Sequence, residues 1–273
     1  MTPELAPSLA SAEGDTAAPG ASGRKGQVTP EVTPEVAPEV TPSLASAEGD
    51  RAAPGGSGRK GRVPWVVGVS GASGTSYARS VLLGLLSAGY PVDLIVSRAA
   101  RLTLLDETGL VWHDGDACLQ AWLGRGGDVR FWGPADLAGG PSSGSYPSRG
   151  MVVVPASTAS VAGIAQGLSK DLLQRAADVA LKERRPLVVV PRETPFGRST
   201  LVHLLTLHDA GAVVLPASPG FYGAPQSVQQ LVDFVAGKVL DVLGVEHDLA
   251  RRWTGELGAG RREQGRSARP GGP

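Results

Sequence analysis

The chain has a single cysteine, Cys118, in 273 residues. A lone thiol excludes an intramolecular disulfide and a cysteine-based metal cluster. Methionine is nearly as scarce, at Met1 and Met151, and aromatic residues make up 5% of the sequence, with none in residues 1–62. No apolar run is long enough to span a bilayer. Residues 1–20 lack the basic start and apolar stretch of a signal peptide. There is no excess of one charge: 26 Lys and Arg balance 26 Asp and Glu, which argues against a nucleic-acid or membrane partner. These absences lead to the expectation of a cytoplasmic protein.

What is present is unevenly spread. Residues 1–62 are rich in Pro, Ala, Gly, Ser and Glu, a composition that cannot bury enough apolar surface to offset its ordering entropy. PSLASAEGD at 7–15 recurs at 42–50, and GRKG at 23–26 recurs at 58–61. Neither copy has a hydrophobic face to stack, so this is low-complexity duplication and not a solenoid. We expect a disordered N-terminal extension over 1–62, one folded domain over 63–253, and a disordered Gly/Arg-rich tail over 254–273.

Within the folded part, apolar runs predict strands at 65–70, 91–97, 151–155, 186–190 and 212–216, with a short one at 129–132. Helical spacing predicts helices at 75–88, 98–107, from 157, 172–182, 199–210 and 226–243; residues 110–150 read as loop-rich. Strands alternating with helices give an α/β fold. The expectation is a doubly wound parallel sheet, flavodoxin-like or Rossmann-like, in three α/β/α layers, with ligands at the strand carboxyl ends.

Several of those ends carry chemistry. Arg192 and Glu193 follow the apolar run 186–190, an expensive pair to place beside a core. Gly68, Gly71 and Gly74 surround the first strand-to-helix turn, where the helix N–H groups face an anion. Ala72, Ser73, Thr75 and Ser76 share that turn. It has no lysine, so it is not a P-loop, and it is not the dinucleotide GxGxxG. Ser97 ends the second strand, and PASTAS at 155–160 brings Ser157 and Ser160 to the end of the third. Three small, donor-rich turns in a row suit one shared ligand with a phosphate and a polar ring. Lys182, Arg192, Tyr222 and Lys238 would make a phosphate clamp with Glu193 beside it, although spacing alone does not bring them together. His203 and His208 lie five apart, not at the i, i+4 spacing of a metal pair, and no metal site is expected.

Five segments, VGVSGASG, VSRAARLTL, GSYPSRGMVVVPAS, LQRAADVALKERRPLVVVPRETP and GFYGAPQS, together resemble the UbiX-type flavin prenyltransferase family over about 66–253. The resemblance implies an enzyme that joins a dimethylallyl group from dimethylallyl phosphate to reduced FMN, at N5 and C6, without a metal. The prenylated FMN would serve UbiD-type decarboxylases. It further implies a dodecamer with sites at subunit boundaries. Carried over by motif, Gly71, Ala72, Ser73, Ser97, Ser157, Ser160 and Arg175 would hold FMN. Lys182, Arg192, Glu193, Tyr222 and Lys238 would hold dimethylallyl phosphate, some reaching a neighbour's FMN. Glu107 and Trp253 match positions near the site. Glu193 is the candidate for proton transfer, with Ser73 as relay. One departure is Ala156, giving PAS where many relatives have PCS.

Two other readings stand beside this one. PASTAS is similar to the PASANT motif of flavin-dependent cysteine decarboxylases, which use a histidine near the flavin and a methionine-rich clamp. The glycine turn alone would also permit a non-catalytic FMN-binding protein.

Overall fold

The computed structural model describes residues 62–221 and 223–250. The expectations for residues 1–61 and for the tail, together with Tyr222 and Trp253, lie outside the described residues.

Six strands form one parallel sheet: β1 (Trp65–Val69), β2 (Val92–Val96), β3 (Val129–Trp132), β4 (Met151–Ala156), β5 (Leu187–Pro191) and β6 (Val213–Val214). Their spatial order is β3-β2-β1-β4-β5-β6, the Rossmann-type doubly wound order. Trp65 pairs with Val92 and Val69 with Val96 on one side of β1, and Val66 pairs with Met151 on the other. β1, β2, β4 and β5 are buried along their whole length. This is why they read as apolar runs and not as alternating ones; the exception is Asp93 in β2, buried and accepting from the Tyr146 hydroxyl at 2.8 Å.

Alternation still sorts their side chains between two cores. Trp65, Val67 and Val69 face one cluster, and Val66, Val153 and Val189 the other. The first core is covered by α1 (Thr75–Ser87), α2 (Arg98–Thr108), α3 (Asp116–Leu123) and α7 (Val228–Val242). The second is covered by α4 (Thr158–Ala165), α5 (Leu172–Lys182) and α6 (Arg198–Asp209). Each helix has its own local cause. α1 buries Ala78, Val81, Leu82 and Leu85, an i, i+3, i+4, i+7 stripe. The hydroxyls of Ser97, Ser157 and Ser227 and the carboxylate of Asp171 accept a backbone N–H three residues on, at the starts of α2, α4, α7 and α5. Each such cap is worth about 1 kcal/mol.

Two differences from the sequence reading have physical reasons. α3 lies within the stretch expected to be loop: it is only eight residues long, held by buried Leu119, Trp122 and Leu123. β6 keeps two ladder residues where five were expected. Leu215 and Ala217 continue to donate to Val189 and Pro191, but Pro216 between them has no N–H to offer, as is common at a sheet edge.

Candidate functional site

The strand order reverses between β1 and β4, and the crevice of a doubly wound sheet opens at that point, beyond the carboxyl ends of the strands. Ser70 builds its floor. The Ser70 hydroxyl donates to the Pro155 carbonyl at 2.9 Å and accepts from the Ser157 N–H at 2.7 Å. The Ser70 N–H also reaches the Pro155 carbonyl, at 3.2 Å. The residue is 1% exposed, so these bonds are sheltered from water. Beside it, Ser157 accepts from the Ser160 N–H at 3.2 Å and donates to the Ser160 hydroxyl at 3.1 Å. Ser97, across β1, donates its N–H to the Val69 carbonyl and accepts from the Ala100 N–H. Gly71 approaches α2 so closely that a Cβ there would lie 2.3 Å from the Ala99 Cβ.

The start of α1 holds an anion that belongs to the protein. Gly74, at φ +106°, turns the chain into the helix. Its N–H donates to Glu107 Oε1 at 2.6 Å, while the Thr75 N–H and hydroxyl donate to Oε2 at 2.8 and 2.6 Å. Burial pushes the Glu107 carboxyl up. The bonds from Thr75, Ser73 and the two N–H groups outweigh burial, and its pKa lies below the ordinary glutamate range. The expectation that these N–H groups face a ligand anion is therefore corrected: a carboxylate from α2 fills that place. The first N–H groups of α2 and α4 likewise have no acceptor within their own helices, and the hydroxyls of Ser97 and Ser157 take one at each start.

Arg192 and Glu193 leave β5 at the same end of the sheet. The Arg192 N–H donates to the Ala156 carbonyl, and its Nε to the Ser73 carbonyl at 3.0 Å. Its charge is felt by Tyr77 on α1: burial raises the Tyr77 phenol, and Arg192 pulls the other way. Glu193 is exposed, with Oε1 turned back to the Thr194 N–H at 2.9 Å. Ala156, at the end of β4, is buried in the second core.

The structure thus gathers Gly71, Ala72, Ser73, Ser97, Glu107, Ser157, Ser160, Arg192 and Glu193 about one crevice. Among the described residues, Arg175, Lys182 and Lys238 are not brought there within one chain. Lys182 ends α5 before β5 begins and pairs with Glu183. Arg192 follows β5, and a five-residue strand spans about 16 Å. Arg175 donates to Asp178 at 2.6 Å and to the Ser142 carbonyl at 3.0 Å. Lys238, on α7, pairs with Asp241 at 3.2 Å. Sequence reasoning missed Ser70 and Tyr77 as site residues. Ser70 carried the same signal as Ser97, a hydroxyl directly after an apolar strand; Tyr77 was absorbed into the apolar stripe of α1.

The order of strands and the small hydroxyl residues at their ends define a flavin-binding α/β protein, and the Flavoprotein family model matches residues 56–240. The chain is 62% identical over 213 residues to flavin prenyltransferase UbiX of Streptomyces coelicolor, covering 73% of this chain and 99% of that protein. It is 43% identical over 190 residues to flavin prenyltransferase UbiX of Pseudomonas aeruginosa, covering 68% and 91%. The chain belongs to the UbiX flavin prenyltransferase family. Among solved structures it is similar to AnUbiX (PadA1) in complex with FMN and dimethylallyl pyrophosphate: TM-score 0.65, 36% identity, 71% of this chain and 99% of that one. It is also similar to a dodecameric FMN-dependent UbiX-like decarboxylase from Escherichia coli O157:H7: TM-score 0.64, 37% identity, 71% and 100%.

Proposed function

We propose that this protein is a metal-independent flavin prenyltransferase that joins the dimethylallyl group of dimethylallyl phosphate to reduced FMN. The observation that carries the reading is the 62% identity to a flavin prenyltransferase over 99% of that relative's length. The crevice fits the flavin. Gly71 leaves no side chain between the turn and α2, and Ser97, Ser157 and Ser160 surround the opening with hydroxyls and helix starts. In the reaction the allylic C–O bond breaks and phosphate leaves as flavin N5 bonds the allyl carbon and gives up its proton; the allyl double bond then gains a proton and its far carbon bonds C6, which loses its ring proton.

The chain's own residues would serve that exchange. Arg192, positioned by Ser73, stabilises the departing phosphate. Glu193 accepts the proton from its exposed loop, and Ser73, bonded to Glu107, is the relay. Tyr222 and Lys238 complete the anion contacts. Lys182, at the other end of β5, would act on the site of a neighbouring copy. A closed oligomer, a dodecamer as in the Escherichia coli relative, supplies such a neighbour. Exposed Leu102 and Leu105 on α2 and Leu201, Val202 and Leu205 on α6 give the apolar surface that an assembly would cover. Among the described residues no helix is long and apolar enough to cross a membrane. We place the enzyme in the cytoplasm, with 63–253 as the catalytic unit and a UbiD-type decarboxylase as recipient of the product.

The cysteine-decarboxylase reading needs a methionine-rich clamp. The only methionine among the described residues, Met151, is 1% exposed within the sheet. The deciding experiment is anaerobic incubation with reduced FMN and dimethylallyl phosphate, followed by mass spectrometry of the flavin. The expected result is a gain of one five-carbon prenyl unit; unchanged FMN with intact phosphate ester refutes the reading.

A further inference from the structure

Ser73 and Gly74 share one peptide unit, and each end of it meets a charge. The Ser73 carbonyl accepts from Arg192 Nε at 3.0 Å, and the Gly74 N–H donates to Glu107 Oε1 at 2.6 Å. The three groups come from distant parts of the chain: the turn after β1, the last turn of α2 and the end of β5. The carboxylate is itself fixed. Its second oxygen takes the N–H and the hydroxyl of Thr75 at 2.8 and 2.6 Å, and the Ser73 hydroxyl bonds it as well. The bond at Nε uses one of the five N–H donors of a guanidinium. The two terminal NH₂ groups of Arg192 have no protein acceptor among the described residues, and Arg192 and Glu107 form no direct ion pair there. With no second hold, this peptide would be poorly fixed. Gly74 lies at φ +106°, and a residue without Cβ leaves the plane before it free to turn. That rotation would swing the Ser73 carbonyl away from Arg192. A cation at the oxygen and an anion at the N–H resist it together, because both stabilise the same direction of the peptide dipole. Both bonds are charge-assisted, and bonds in such a chain polarise one another. Tyr77 closes one side of the turn: a Cβ on Gly74 would lie 2.7 Å from its Cδ2.

We propose that the Ser73–Gly74 peptide couples Glu107 to Arg192, and that Glu107 is thereby a positioning residue for the guanidinium as well as the cap of α1. The inference rests on the reading of Arg192 as the cation at the departing phosphate. In this role Glu107 touches neither the flavin nor the donor. It fixes the carbonyl that takes Nε, and the bond at Nε fixes the plane of the fork. The terminal NH₂ groups then keep one orientation toward an incoming anion, which a planar fork rewards and a point charge does not. Removing the charge at residue 107 loosens the peptide and the fork together.

The test is a double-mutant cycle on the full chain: the parent, E107Q, R192K and the two combined. It reads kcat/KM for dimethylallyl phosphate with reduced FMN saturating. Rates are taken per bound flavin, so unfolded chain does not enter. R192K keeps the charge, but its single head cannot both hold the Ser73 carbonyl and present a fork. E107Q is expected to cost about tenfold in the parent and no more than about twofold in the R192K background, a coupling in the usual range for residues of one hydrogen-bonded network. An equal loss in both backgrounds, or no loss in the parent, overturns the coupling and leaves Glu107 as a helix cap alone. If R192K is as active as the parent, the placement of Arg192 at the departing phosphate fails and the inference falls with it. If the parent chain turns over no donor, the prenyltransferase reading itself is refuted.

Discussion

The two ends of β5 hold cations in opposite ways. At the carboxyl end Arg192 is bonded to the carbonyl of Ser73 and joins a crevice whose floor is tied together through the Ser70 hydroxyl. Lys182, ahead of the amino end, is exposed and, among the described residues, paired with the next residue in sequence, Glu183. Both lie in one continuous motif, LQRAADVALKERRPLVVVPRETP, yet the strand between them holds them apart. In the proposed reading one chain builds the flavin side of the site, whereas Lys182 and Lys238, each exposed and paired with a near neighbour in sequence, would need another copy to join a clamp.

The largest effect should come from breaking the donor side while the crevice is left intact. Glu193→Gln is expected to retain FMN and to lose about 10³-fold in turnover, within the range of general acid–base groups. Single-turnover absorbance of the bound flavin would measure both, and unchanged turnover would refute the proton-transfer role.

Gly71→Val attacks the crevice side instead. Its side chain must displace Ala99, which lies within 2.3 Å of a Cβ at this position, and overpacking of this kind costs about 1–3 kcal/mol. Loss of FMN binding by fluorescence titration, with a lowered Tm, is the expected outcome.

Ser70→Ala sharpens the contrast further. It leaves the Ser157 N–H without its acceptor, while the Pro155 carbonyl keeps the backbone N–H of residue 70, at about 2 kcal/mol for a buried group left unpaired. Urea unfolding should show that loss. FMN should bind more weakly while KM for the donor stays as it was, because Ser70 supports only the flavin side.

The smallest effect concerns Glu107. Its folded pKa is depressed, so its stabilisation is present above the unfolded carboxyl pKa and is lost as pH falls through the folded one. Glu107→Gln should be less stable than the parent at neutral pH, and the gap should close in acid. Urea midpoints measured across that range would check it; a gap independent of pH would count against the capping role.

Much of this was legible from sequence. The four central strands are buried on both faces, so each stands out as a short, mainly apolar run, interrupted only by Asp93 in β2. The helix starts at Ser97 and Ser157 could be read because one hydroxyl satisfies one N–H three residues on. α3 was missed because eight residues carry barely two turns of periodicity between glycines. The anion at α1 was misplaced because Glu107 lies 32 residues from Thr75, and a carboxylate at the end of one helix says nothing in sequence of the helix start it reaches. Lys182 and Lys238 could be recognised by motif, but their surroundings depend on Glu183, Asp241 and a neighbouring copy, none of which spacing can locate.

Ala156 has a consequence for side reactions. An allylic phosphate is an alkylating agent, and a thiol is the softest nucleophile a protein can offer it. Here residue 156 ends in a methyl group sealed in the second core, and the chain's one thiol is on α3 beside the Val111 carbonyl. In the proposed reaction position 156 therefore offers the allylic carbon no sulfur, and a thiol reagent would mark Cys118 alone.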